Sequence, residues 1–365
     1  MQGRGQSERS HHLIQAREEE RGDRRRHWTG KAAGQGSPTY DDSGDRAQEI
    51  RRADVDAGVS QQARKGNASD GVEDGSNDVH QDLVEGDSHP NDMGRNRIGA
   101  DDLETVGPYN FGGKLAGAMT AHPKTCGETG ELISFAYGMT EPYLTYHRTS
   151  AEGDMLQVEP ITVKGATMVH DFNITRNHVI FMDLPVVWNL EGLASSGLPV
   201  IWDESYGARL GVMPRDGSDA DVCWYEIDPC YVFHPLNAYE EGQRIIIDVC
   251  RMENAMKPGS SAPPLLYRWV IDQAAGTVTE TQIDDRVVDF TRVCDTVVGL
   301  KYRFGYAAAF APALPVAEGF MKYDLERGSS EFHDLHGGQG SEPVFVKDPE
   351  GSAEDDGWVL SYVYR

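Results

Sequence analysis

Positive charge is what this sequence has least of. Its 365 residues carry 59 Asp and Glu against 34 Lys and Arg, a formal net charge of −25. A phosphate-binding surface needs an excess of cations, so nucleic acid is not an expected partner. Long apolar runs are also missing. No stretch approaches the roughly 18 residues that a membrane-crossing helix requires, and the N-terminus has no apolar signal core. The five cysteines, Cys126, Cys223, Cys230, Cys250 and Cys294, include no Cys-x-x-Cys pair. An odd number without metal-finger spacing fits reduced thiols in a cytoplasmic protein. No Gly-x-Ser-x-Gly nucleophile elbow and no glycine-rich nucleotide fingerprint is present.

Aromatic residues are scarce in one part only. Residues 1–100 contain Trp28 and Tyr40 and no Phe, in a background of Arg, Asp, Glu, Gly, Ser and Gln. Such a segment buries too little apolar surface to offset its ordering entropy, which predicts disorder over residues 1–100. From residue 101 to 365 the texture changes. Short apolar runs rich in Val, Ile, Phe and Tyr recur between Gly, Pro, Asp and Asn turn signals. They include Leu132–Tyr137, Met168–Phe172, Val179–Leu184, Cys230–His234, Arg244–Val249, Leu265–Ile271, Val344–Val346 and Trp358–Tyr364. Many short strands without a long helical period predict an all-β sandwich, barrel or propeller.

Three histidines stand in or beside such runs: Thr120-Ala121-His122-Pro123-Lys124, Met168-Val169-His170-Asp171-Phe172 and Tyr231-Val232-Phe233-His234-Pro235. Three neutral imidazoles suit iron, zinc or copper. Singly, each reads first as a satisfied core or loop residue. Their separations of 48 and 64 residues do not by themselves signal a metal site.

The surrounding motifs are more specific. In order along the chain stand Tyr109-Asn110-Phe111-Gly112-Gly113, Met119-Thr120-Ala121-His122-Pro123-Lys124, Val169-His170-Asp171-Phe172-Asn173-Ile174-Thr175 and Val179-Ile180-Phe181-Met182-Asp183-Leu184-Pro185. Then come Cys230-Tyr231-Val232-Phe233-His234 with Asn237-Ala238-Tyr239-Glu240, Arg303-Phe304-Gly305-Tyr306, Glu342-Pro343-Val344-Phe345-Val346 and Ala353-Glu354-Asp355-Asp356-Gly357. In these stretches the sequence resembles the carotenoid cleavage oxygenases, the family that includes lignostilbene dioxygenases.

The resemblance implies a seven-bladed β-propeller, here incomplete, with Fe(2+) on its axis. It implies a non-haem dioxygenase that uses O2 to cleave a C=C bond of a carotenoid, apocarotenoid or stilbene-like substrate to carbonyl products. The partners it implies are an apolar polyene or stilbene and O2, with peripheral membrane contact for substrate uptake. His122, His170 and His234 match three of the family's four iron ligands. The fourth belongs to a His-Gly motif that would lie beyond Arg365. Glu342 matches a carboxylate that would orient that fourth histidine, and Asp289 falls where the family has a glutamate that orients a ligand. Phe172, Phe233 and Tyr231 read either as lining for a substrate tunnel or as core. Before residue 101 the match fails, with His27-Trp28-Thr29-Gly30 as a faint echo of a His-Trp-Phe-Asp-Gly motif, so a divergent, misread or truncated start is implied. The alternative reading is an inactive fragment lacking the fourth ligand.

Overall fold

Strand after strand in this chain pairs with its predecessor. Lys124–Thr125, Leu132–Tyr137, Leu144–Thr149 and Met155–Ile161 form one antiparallel sheet in sequence order. Asn173–Ile174, His178–Asp183, Ala208–Pro214 and Cys223–Ile227 form the next. Tyr231–Glu241, Arg244–Met252, Leu265–Asp272 and the first part of Thr277–Arg292 follow. Thr277–Arg292 then leaves Leu265–Asp272 and pairs with Phe304–Phe310, which continues to Ala317–Asp324 and Ser329–Asp334. Val344–Lys347 and Gly357–Tyr364 begin a further unit. This computed structural model describes residues 11–15, 26–27, 95–98 and 104–365, apart from 116, 192–197, 258–261 and 312–315. Among the described residues the only helical elements are three short 3-10 turns, so the fold is all-β and propeller-like.

The central strand Arg244–Met252 shows why the sheets stack. Its run Ile245-Ile246-Ile247-Asp248-Val249-Cys250 is buried on both faces. Side chains alternate across a strand. Ile245, Ile247 and Val249 therefore pack with Ile180, Leu210 and Val212 of the preceding sheet. Ile246 and Cys250 pack with Ala307, Ala309 and Met321 of the following one. A third interface joins Ile133, Phe135 and Tyr146 to Phe172, Val179 and Phe181. Each large aliphatic side chain buried in this way stabilises by about 1.5–3 kcal/mol. Asp248, fully buried among them, is satisfied by a two-pronged bond from Arg268 (2.7 and 2.8 Å) and by the Tyr302 hydroxyl at 2.5 Å.

One sequence expectation is corrected here. Met168–Phe172 is not a strand. Met168 N–H bonds the Val186 carbonyl, but the Asp171 side chain takes the Phe172 N–H at 2.7 Å and pulls the segment out of ladder geometry. All described residues lie in one compact unit. Three short strands from the first hundred residues are described, His11–Gln15, Arg26–His27 and Arg95–Ile98. The remainder of the segment predicted to be disordered, with the Trp28-Thr29-Gly30 part of the echo motif, lies outside the described residues.

Candidate metal centre

Successive sheets deliver one site residue each, at or just before their first strand. His122 precedes Lys124–Thr125, in a turn held by Thr120: Thr120 N–H bonds the Phe135 carbonyl at 2.7 Å, and His122 N–H bonds Thr120 Oγ1 at 3.0 Å. His170 lies in the irregular segment before Asn173–Ile174. The Tyr231 hydroxyl steadies that segment by donating to the Met168 carbonyl at 2.9 Å. His234 lies within Tyr231–Glu241, where the register with Arg244–Met252 shifts between Val232 and Pro235 and again by Asn237. Such bulges re-aim side chains, and Pro235 has no N–H to offer the ladder. Asp289 lies at a comparable irregularity, between Asp289 and Arg292, and the next residue, Phe290, has a φ of 52°. A bulky residue at positive φ is strained backbone, of the kind that concentrates at functional sites.

The three imidazoles converge. His170 Nε2 is 3.1 Å from His122 Nε2 and 3.2 Å from His234 Nε2, and the three ligand atoms all lie within 4.8 Å of one another. Two nitrogens at about 2.1 Å from one ion and at right angles to each other would be about 3.0 Å apart. These two separations match those of neighbouring ligands on one ion. Asp289 Oδ1 is 2.9 Å from His234 Nδ1 and also accepts the Phe290 N–H at 2.9 Å. A carboxylate can only accept from that nitrogen, so the contact places a His234 proton on Nδ1 and turns Nε2 toward its neighbours.

Electrostatics keeps two of the rings neutral. Burial lowers His122, and Lys124, His234 and Arg292 lower it further, to about 3. Burial also lowers His170, and its two histidine neighbours add to this, reaching about 4 despite Asp171 and Asp289. A ring in that state at neutral pH is ready to ligate a metal without first losing a proton.

The other expected residues fall differently. Glu342, which the resemblance pairs with a fourth histidine beyond Arg365, accepts from Arg292. Phe172 and Tyr231 are core residues with no more than 1% exposure. Phe233 is half-buried and packs edge-on against His170, with ring centroids 5.2 Å apart. A cavity of about 550 Å³ adjoins the site, lined by His122, Lys124, Asn237, Arg292 and Asp295 among others. Sequence reasoning missed three neighbours. Phe290 lies 4.8 Å from His234 by ring centroids, Arg292 joins Glu342, and Lys124 pairs with Asp171. Each stands in or beside a motif already singled out, but nothing in the letters says which partner it meets.

Comparison with known proteins bears on the same stretch of chain. The family model described as retinal pigment epithelial membrane protein matches residues 92–365, about three quarters of the sequence. A carotenoid cleavage oxygenase of Mycobacterium tuberculosis is 34% identical over an alignment covering 72% of this chain and 64% of the relative. A carotenoid 9,10(9',10')-cleavage dioxygenase of Crocus sativus is also 34% identical, over 72% of this chain and 53% of its own length. This chain thus spans between about half and two-thirds of the relatives it matches. Among solved structures, the lignostilbene dioxygenase of Pseudomonas brassicacearum superposes with a TM-score of 0.67 at 26% identity, covering 73% of this chain and 62% of that one. A cobalt-substituted Synechocystis apocarotenoid oxygenase gives a TM-score of 0.66 at 27% identity, covering 74% and 62%.

Proposed function

This chain belongs to the retinal pigment epithelial membrane protein family, the carotenoid cleavage oxygenases, and from that premise we propose that it is a non-haem Fe(2+) dioxygenase acting on a C=C bond. The observation that carries the proposal is the convergence of His122, His170 and His234, with His234 fixed by Asp289. The relatives' names support oxidative cleavage of carotenoid, apocarotenoid or stilbene-like substrates, and none favours the inert-fragment reading. Three imidazole nitrogens fit a borderline metal such as iron.

In this reading the Nε2 atoms of the three histidines hold the ion, and iron(II), when bound, supplies the redox chemistry that activates O2 toward an alkene. The protein does the rest. Asp289 keeps the His234 proton on Nδ1, so that Nε2 stays a ligand. Phe233 against His170, and Phe290 against His234 with Phe310 behind it, form an apolar wall beside the rings. That wall excludes water and suits a flat conjugated hydrocarbon. Such substrates partition into bilayers, so peripheral membrane contact is part of the proposal. No helix among the described residues is long and apolar enough to cross a membrane.

The test is turnover by the full chain, loaded anaerobically with Fe(2+) and then given O2 with an apocarotenal or a hydroxylated stilbene. The expected result is loss of the substrate's visible or near-ultraviolet band, with aldehyde products that carry label from ¹⁸O2. His170→Ala should abolish it. A preparation that binds one iron per chain and cleaves neither substrate class would defeat the proposal.

A further inference from the structure

We infer that the ion pair between the partly buried Lys124 and the buried Asp171 is a positioning device that sets the His122 and His170 imidazoles against each other; the inference rests on reading the histidine trio as a metal centre. Lys124 follows His122 by two residues, and Asp171 follows His170 directly. Lys124 Nζ lies 2.8 and 2.9 Å from the two Asp171 oxygens. The Asp171 side chain is 2% exposed and also takes the Phe172 N–H. The two segments belong to different sheets, and among the described residues no backbone hydrogen bond joins them. The hydrogen bonds that bridge 120–125 to 167–172 are this ion pair and the His122–His170 contact.

Stability alone is a poor account of such a pair. Taking an ammonium and a carboxylate out of water is costly, and well-packed apolar residues of similar volume often hold two sheets together as well or better. An apolar contact, however, allows sliding. An ammonium shared between both oxygens of one carboxylate fixes distance and direction together. Asp171 has no room to move without moving His170, its covalent neighbour. Lys124 is tied in the same way to His122 through Pro123, whose ring restricts φ. The pair therefore sets the separation of two Nε2 atoms at the site itself, where the other polar links between the two sheets, such as Tyr146 to the Arg215 carbonyl and Gln157 to the Gly217 carbonyl, do not reach. Ligand-orienting contacts of this kind are typically worth about 10–100-fold in metal affinity.

The experiment uses the full metal-free chain titrated with Co(2+), read by its dissociation constant and its visible d–d absorption, beside the thermal midpoint of the metal-free protein. The informative variant is Lys124→Met with Asp171→Leu, which removes both charges and leaves none buried alone. Expected are a metal-free midpoint at or above that of the parent, a Co(2+) affinity lower by about 10-fold or more, and an altered d–d envelope. A purely structural pair predicts the opposite pattern, parental affinity and spectrum in the double variant, and that result overturns the inference. If the double variant does not fold, Lys124→Gln is judged by the same two metal readouts, and parental values there overturn it equally. A parent chain that binds no Co(2+) overturns the metal-centre reading and this inference with it. A parent that binds normally beside an unchanged variant overturns the inference alone.

Discussion

The bond from His234 Nδ1 to Asp289 at 2.9 Å leaves one nitrogen of that ring free to bind metal. Removing the carboxylate with Asp289→Ala lets the proton move to Nε2 and the ring rotate. Metal affinity should fall about 10–100-fold, measured by competition with a chromogenic chelator, and parental affinity in that variant would show that the carboxylate does not orient the ring. At this scale the sequence was informative about identity and silent about contact. His122, His170 and His234 stand in motifs that the family resemblance picks out. Asp289 is one methylene shorter than the glutamate that the resemblance implies at its position. The positive φ at Phe290 and the register shift beside it accompany an aspartate that does reach the ring. Backbone irregularity of that kind leaves no periodic trace in the letters, and the partners of Lys124 and Arg292 lie 47 and 50 residues away.

At the scale of elements, Glu240 ties the strand that carries His234 to the turn before His178–Asp183. Burial raises its carboxyl, but bonds from His178, Thr175 and Asn177 outweigh that and hold it at about 2, below its ordinary 4.5. A carboxylate depressed on folding stabilises above its unfolded value, and the contribution is lost as pH falls through the folded one. Glu240→Gln should therefore cost about 1–3 kcal/mol at neutral pH, and the deficit should shrink as pH drops from 4.5 toward 2. Urea unfolding of both proteins across that range measures it, and a deficit independent of pH would contradict this account. Most strands were legible because both-face burial yields continuous Val and Ile runs, as in Arg244–Met252. Met168–Phe172 also reads as an apolar run, but its Phe172 N–H donates to the Asp171 side chain and not to a neighbouring strand. Apolar periodicity cannot report that competition.

For the whole molecule, three successive sheets each contribute one histidine of the proposed site, so a bound ion would add a link between units that also meet through apolar faces and a few polar bonds. Metal at about 100 times its dissociation constant should add about 2.7 kcal/mol of stability, or about 5–10 °C in thermal midpoint for a domain of this size. Differential scanning fluorimetry with Fe(2+) or Co(2+), reversed by chelator, reads this directly, and no shift at saturating metal would mean that the sheets are not linked through the histidines. The all-β class was within reach of the sequence, and the propeller came from the family resemblance. The closeness of residues from different sheets was not, because stacking is set by side-chain packing across long separations.

The sixteen-residue strand Thr277–Arg292 gives that assembly an unusual dependence. Its first part borders one sheet, its last part opens the next, and Asp289 stands near the inner end. At about 3.3 Å per residue, roughly 40 Å of extended chain separates Thr277 from Asp289. The aim of Asp289 is thus indexed from far away, like a key cut at one end and turned at the other. A single residue gained or lost in the hairpin before Thr277, if it slid the whole strand by one step, would face Asp289 away from His234. The hairpin would look like harmless surface, yet its length would be under the same constraint as the histidines themselves.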